Sequence, residues 1–432
     1  MLGIAPWIHD FAAFNLWSRP VGLLSCLDML GRSGCSVALV DCLDCAGEDS
    51  PPGPRRFGAG PYPKVPISKP PCLSAVPRTY SRYGLPRKLV RGTLERLTPP
   101  PDLILVSAAM TYWYPGAFEA LEMARDIWPR VPLVLGGPYA TLCTGHAKAN
   151  APADCIISGP LEREDNWEQL WQTLGQSPPK LPDDAGFGLA LNWYGRSRYA
   201  PLLLSRGCPF SCAYCAGKQL YPGFATADPQ RVFSMMQEEY GKGVRDFAFY
   251  DDALLIRPER CLIPLLDDMD AAGMRVRLHT PNALHVRELT LPMCSRLKRA
   301  GLTTIRLGLE TADFGTRLDS KLSAAQWEQG TENLLRAGFH PREVGVYVLF
   351  GLPDQDEDDL LQTISFVKKA GFTPFLAQYT PIPGTPLFEK ACGSSPYPLR
   401  EEPLVHNNSI WPSYPGGFTW KEHTRWRDIL AR

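Results

Sequence analysis

Short apolar blocks recur along most of this chain, and each is followed by a stretch whose apolar positions fall at helical spacing. In residues 1–160 the blocks Leu2–Trp7, Ser36–Asp41, Asp102–Ser107, Val131–Gly136 and Asp154–Ser158 read as strands, with helices at Pro20–Leu30 and Gly116–Trp128. Strands this apolar, separated by helices, predict a parallel sheet covered on both faces. A second alternation begins at Pro201, with strands predicted at Pro201–Ser205, Asp246–Tyr250, Arg275–His279, Thr304–Leu309, Gly345–Phe350 and Phe375–Tyr379. The intervening helical stretches each run out in a glycine (YGKG, DAAG, KRAG, LRAG, KKAG), the residue that suits a left-handed cap. The expected fold is therefore α/β: a Rossmann-like, doubly wound parallel sheet over 1–175, a link over 176–200, a partial (β/α)6 barrel over 201–392, and a short C-terminal extension over 393–432. Six β/α units fall short of the eight that close a barrel. A Pro- and Arg-rich excursion, Gly47–Pro101, interrupts the first alternation and is too long for an ordinary connection. The extension is rich in Pro, Trp and Tyr, carries a polar helix near Trp420–Leu430, and is expected to cover one end of the barrel.

Composition narrows the function only a little. The chain has 432 residues, and its Lys+Arg and Asp+Glu totals are both 45, which argues against a general nucleic-acid or membrane-surface binder. No apolar run reaches bilayer length, and MLGIAPWIHDF lacks the plan of a signal peptide. Thirteen cysteines, an odd number in a large chain, suit reduced thiols in the cytoplasm better than a disulfide framework.

Three of those cysteines share one loop. Cys208, Cys212 and Cys215, in SRGCPFSCAYCAGK, are spaced C-x3-C-x2-C, with Tyr214 before the last thiol. Thiolates this close in sequence can converge on one metal centre, and iron–sulfur clusters are held by such thiolates. A closed zinc site wants a fourth ligand, and no Cys or His follows before Cys261. The alternative is a zinc knuckle or unrelated thiols. Cys42 and Cys45 also form a C-x2-C, but with no second pair they read as ordinary thiols.

The ends of the later barrel strands carry further polar groups. Asp251 and Asp252 close the second, where they suit an ammonium group, or Asp252 suits a helix cap. In TIRLGLET, alternation puts Arg306, Gly308 and Glu310 on one face, for ribose hydroxyls or for an Arg306–Glu310 salt bridge. LHTPNALH places His279, Asn282 and His285 near the same rim, although lone histidines are usually structural. Gly351, in VLFGLPDQ, would let a flat ring approach the backbone.

Taken in order, CPFSCAYC, FYDD, IRLGLET, VLFGLPDQ and YTPIPGTPL resemble the successive motifs of radical S-adenosylmethionine (SAM) enzymes over roughly residues 200–390. PWIHDFAAFNLWSRPVGLL, VSAAMTYWYPG and VLGGPYATLC resemble the subgroup with an N-terminal cobalamin-binding-type domain. The resemblance implies that Cys208, Cys212 and Cys215 ligate a [4Fe–4S] cluster whose fourth iron chelates SAM, and that one-electron reduction cleaves the sulfonium to a 5′-deoxyadenosyl radical. It places Asp251 and Asp252 at the methionine amino end, Glu310 on SAM, and Tyr214, Asn282, Arg306 and Gly351 in the same pocket. The strand end is FYDD rather than the Gly-Gly-Glu of many members.

In the first domain, the resemblance implies cobalamin against the loops at Trp7–Pro20, Ser107–Gly116 and Gly136–Thr141, with Ser107, Tyr112, Gly136 and Gly137 as contacts. Residues 1–175 contain no D-x-H-x-x-G, and His9 and His146 lie in the wrong context, so no histidine is expected on cobalt. The alternative is a domain that serves only the barrel or the substrate. Expected partners are a small-molecule or peptide substrate and a one-electron donor such as flavodoxin or ferredoxin, with neither nucleic acid nor membrane. Methyl transfer to an unactivated carbon, a rearrangement or cyclisation without cobalamin, and a plain electron-transfer or regulatory protein are the three competing functions.

Overall fold

The computed structural model describes residues 1–45, 56–195 and 197–432. They fall into two units, one of 1–197 with 219–221 and 400–406, the other of 198–218, 222–399 and 407–432. The expected link thus belongs to the first unit up to Ser197. It is tied there by Tyr194, which donates to Asp41 at 2.8 Å, and by Trp167, which donates to the Pro179 carbonyl at 2.8 Å.

The first unit has strands β1 Leu2–Ala5, β2 Ile8–Asp10, β3 Phe14–Asn15, β4 Ala38–Asp41, β5 Gly60–Pro61, β6 Lys64–Pro66, β7 Ser81–Tyr83, β8 Ile104–Ser107, β9 Leu133–Gly136 and β10 Cys155–Ile156. Its helices are α1 Val21–Arg32, α2 Arg87–Glu95, α3 Tyr114–Ile127, α4 Pro138–Leu142, α5 Thr144–Asn150 and α6 Glu164–Thr173. The main sheet runs β10-β9-β8-β1-β4 and is parallel throughout. Alternate side chains feed two cores. Leu2, Ile4, Ile104, Val106, Leu133 and Leu135 pack with Val90, Leu94, Ala117 and Leu121 of α2 and α3. Leu105 and Val134 pack on the opposite face with Leu23, Leu27 and Leu30 of α1 and Leu170 of α6. Because α1 and α3 lie on opposite faces, the winding reverses between β1 and β8, and the crevice opens outside their carboxyl ends. The described part of the excursion is ordered: β6 and β7 join β2 in an antiparallel sheet, and α2 packs on the main sheet. Its opening, through residue 55, lies outside the described residues.

The second unit has strands β11 Tyr199–Leu202, β12 Ser205–Arg206, β13 Ala225–Thr226, β14 Asp246–Phe249, β15 Arg277–His279, β16 Leu302–Glu310, β17 Val344–Phe350 and β18 Thr373–Gln378. Six of them form one parallel sheet in sequence order, β11-β14-β15-β16-β17-β18, with its two end strands unpaired to each other. This is an open half-barrel. Helix α7, Gly217–Leu220, is divided between the two units; the helices of the second are α8 Pro229–Gly241, α9 Leu262–Ala271, α10 Leu291–Arg299, α11 Ala324–Arg336, α12 Glu357–Lys369 and α13 Pro386–Ser394. The five glycines expected to end helices all have positive φ, from 62° at Gly273 to 98° at Gly243. The C-terminal helix α14, Trp420–Ala431, docks on α12, whose Lys368 donates to the Ile429 carbonyl at 2.7 Å. Around the last residue of β17, Phe350, stand the rings of Trp411, Tyr414 and Trp426 at 4.8–5.3 Å. No helix among the described residues is long and apolar enough to cross a membrane.

Candidate active site

The loop that bears the three cysteines leaves the carboxyl end of β11 and is braced at its base, where β12 pairs antiparallel with β13. Asp251 fastens the loop's entry. Its Oδ1 accepts from the Leu204 and Ser205 amides at 3.1 and 2.5 Å and from the Ser205 hydroxyl at 2.7 Å. Asp252 accepts from the Gly207 amide at 3.2 Å. Farther along, the Ala213 amide donates to the Leu318 carbonyl and the Ala213 carbonyl accepts from the Leu387 amide, both at 3.0 Å. The loop is therefore held at its start by β14 and at its middle by the segment after β16 and by α13.

Cys208 and Cys212 are partly buried and Cys215 is exposed, and the Cys215 charge is felt by both of the others. Burial pushes the Cys212 thiol up to about 11 and raises that of Cys208, with Lys321 pulling both back. Such thiols ionise fully only against a strongly positive centre, which iron supplies. Among the described residues no three His, Cys, Asp or Glu side chains are grouped to hold a single metal ion. A four-iron cluster binds its thiolates on separate irons, so they stand wider apart than the ligands of one ion. The donor set, three soft thiolates on one clamped loop, fits a cluster.

Beyond the thiols the structure corrects several expectations. Asp251 is 3 % exposed: its Oδ1 is committed to the loop entry as a strut, while its buried Oδ2 has no hydrogen-bond partner. Desolvation pushes its carboxyl up to about 7. Asn282 donates to the Tyr250 and Asp251 carbonyls at 3.2 Å, holding the same strand end. His279 is fully buried between Asp246 and Thr304, both at 3.0 Å, and is structural. Arg306 lies over the Phe375 ring at 4.4 Å and donates to its neighbouring carbonyl, so the expected partnership with Glu310 does not form.

Glu310 pairs instead with Lys321, whose Nζ stands 2.6 Å from Oε1, both side chains about nine-tenths buried. Two residues before Lys321, a buried Arg317–Asp319 pair takes up the Tyr214 hydroxyl, which donates to Asp319 Oδ2 at 3.1 Å. Lys321 Nζ also lies 5.8 Å from the centre of the Tyr214 ring. The segment 317–321 thus supplies site residues that the sequence did not announce. His285 reaches the loop from after β15, its Nε2 3.9 Å from Cys208 Sγ. Gly351 has φ +76°, and its amide donates to Gln355 at 2.7 Å.

In the first unit, Ser107 and Gly136 end adjacent strands β8 and β9, and Tyr112 is buried just beyond β8. Gly137 has φ +90°, and a Cβ there would stand 2.6 Å from Ser107 Oγ and 2.8 Å from the Ala108 carbonyl. Its lack of a side chain is required by the protein's own packing. Gly136 is open, its nearest neighbour 3.9 Å from a built Cβ. The histidines of this unit are each held through a ring nitrogen: His9 Nε2 on Glu119 at 2.7 Å, His146 Nδ1 on the Tyr139 hydroxyl at 2.6 Å, and His406 Nδ1 on Thr111 at 3.1 Å.

The second unit is thus a half-barrel of parallel strands with a three-cysteine loop at their carboxyl ends. Residues 202–367 match the Radical SAM superfamily. Among curated proteins the chain is 26 % identical to bacteriochlorophyllide d C-12(1)-methyltransferase of Chlorobaculum tepidum, over 60 % of this chain and 59 % of that protein. It is 25 % identical to the anaerobic magnesium-protoporphyrin IX monomethyl ester cyclase of Cereibacter sphaeroides, over 67 % of this chain and 53 % of that one. The chain thus spans less than two thirds of the length of these relatives. Among solved structures, TsrM of Kitasatospora setae, a radical SAM methyltransferase determined with cobalamin and a [4Fe–4S] cluster bound, superposes at a TM-score of 0.65 with 14 % identity. That match covers 92 % of this chain and 76 % of TsrM, and it extends the likeness of fold across both units.

Proposed function

We propose that this chain is a radical SAM enzyme in which Cys208, Cys212 and Cys215 hold a [4Fe–4S] cluster, the second unit binds SAM, and the first binds cobalamin for methyl transfer to an unactivated carbon. The observation that carries this is the three-thiol loop, clamped by Asp251, Asp252 and the 317–321 segment at the carboxyl ends of a parallel half-barrel. When bound, the cluster supplies the electron that splits the SAM sulfonium, and a corrinoid supplies a methyl carrier. The chain's own part is to hold these groups in place and keep water away. Tyr214, fixed through its hydroxyl by Asp319, and the Glu310–Lys321 pair form a buried polar wall beside the thiols. Cobalamin is supported by the doubly wound sheet with its crevice outside β1 and β8, and methyl transfer by the relative named as a methyltransferase. The relative named as a cyclase favours a second reading, cyclisation at the same site. A small one-electron donor of the flavodoxin or ferredoxin type is required in either case.

Anaerobic reconstitution with iron and sulfide, with and without hydroxocobalamin, tests the proposal. The expected result is about four irons and four sulfides per chain, a retained corrinoid absorbance, and release of S-adenosylhomocysteine or 5′-deoxyadenosine from SAM under dithionite. An intact, reducible cluster that yields neither product would return the chain to an electron carrier. A cluster that cleaves SAM with no corrinoid retained would favour the cyclase reading.

A further inference from the structure

We infer that His285 is a positioning residue for the iron–sulfur centre: its Nε2–H donates to the Cys208 thiolate and raises the potential at which the cluster accepts an electron. This rests on the cluster assignment above. Nε2 lies 3.9 Å from Cys208 Sγ, within reach of an N–H···S contact. A thiolate only accepts, so the nitrogen facing it must carry the proton and Nδ1 must be bare. Nδ1 is buried and has no hydrogen-bond partner, so no competing bond fixes the other tautomer or draws the ring away.

The ring's place is set by its surroundings. It leans on Phe210, which lies between the first two cysteines, with centroids 4.9 Å apart at 35°. The adjacent backbone is pinned to β16, since the Leu284 amide donates to the Arg306 carbonyl at 2.8 Å and the Leu284 carbonyl accepts from the Gly308 amide at 3.3 Å. His285 is thus presented to the loop from a separate strand end before any cluster is added. Hydrogen bonds to ligating sulfur withdraw electron density and favour the reduced, more negative cluster. The effect matters here because reduction of the cluster precedes SAM cleavage.

The test is an EPR-monitored redox titration of the reconstituted full-length protein, comparing wild type with His285→Leu and His285→Gln. Leu should leave iron content unchanged and move the midpoint potential in the negative direction. Gln, whose amide N–H can still reach sulfur, should recover part of the shift. A Leu variant with full iron content at the wild-type potential overturns the inference. Pulsed EPR on wild-type protein carrying 15N-histidine avoids any dependence on variant folding. A single weakly coupled nitrogen on the reduced cluster supports the bond. Absence of coupling overturns it, and so does the strong coupling of a nitrogen bound directly to iron. If the wild-type chain takes up no cluster, the functional proposal itself falls and carries this inference with it.

Discussion

Glu310 stands at φ +68°, at the bulge where β16 shifts register against β17, a conformation that costs a side-chain-bearing residue roughly 1–3 kcal/mol. Its carboxylate meets Lys321 in a nearly dry ion pair. Removing one partner of such a pair leaves the other charge buried, so Lys321→Met should cost about 3–5 kcal/mol, read as a lower urea midpoint. Adding Glu310→Gln to that variant should restore part of the loss. Asp251 makes a second prediction, in pH. Its folded carboxyl titrates near 7, above the unfolded value, so between about pH 4 and 7 the folded chain holds more protons and stability falls as pH rises. Asp251→Asn keeps an oxygen acceptor for Leu204 and Ser205 and should flatten that part of the stability–pH curve. An unchanged slope would assign the dependence to other groups. The thiol loop was legible because its three ligands and their spacing are local in sequence. Lys321, Asp319 and Arg317 were not, since a polar stretch reads as solvated surface until the fold folds it against Tyr214.

At the level of elements, all eleven sheet strands expected from apolar blocks form, each within a few residues of its expected span, because a strand buried on both faces leaves a continuous apolar run. The small sheet of β2, β6 and β7 left no such trace. Its strands are three residues each, β6 is exposed throughout, and β2 finds its partner across some seventy residues of chain. The turn after β9 shows a packing requirement that the sequence motif did not reveal. Gly137 looked like an opening for a ring, yet its left-handed φ and its contact with Ser107 and Ala108 already require glycine. Gly137→Ala should therefore destabilise the first unit by about 1–3 kcal/mol with or without a corrinoid, lowering its melting temperature. Gly136→Ala has room and should leave the melt nearly unchanged, which makes Gly136 the better position for probing ligand approach.

Across the whole molecule, chemistry is divided between two folds: a doubly wound sheet with a crevice at its switch point, and a half-barrel with the thiol loop. The division bears on what sits beneath cobalt if the first unit takes up cobalamin. A histidine ligand must turn a ring nitrogen toward the crevice, and the rings of His9, His146 and His406 are each held in place through a bonded nitrogen. His9 is locked on Glu119, which Arg82 and Arg87 also grip at 2.9 and 2.7 Å. His146 is bonded to Tyr139 and ringed by Tyr114, and His406 is 1 % exposed against Thr111. Freeing any of them would break a contact of the folded unit, and for His9 a charged network. The expected outcome is therefore a cob(II)alamin EPR spectrum without nitrogen splitting, the same in wild type, His9→Ala, His146→Ala and His406→Ala. Splitting that disappears in one of these variants would identify a histidine ligand. Splitting that persists in all of them would show that the cofactor's own base stays on cobalt. Either result would contradict a crevice that holds the corrin without a nitrogen donor below it.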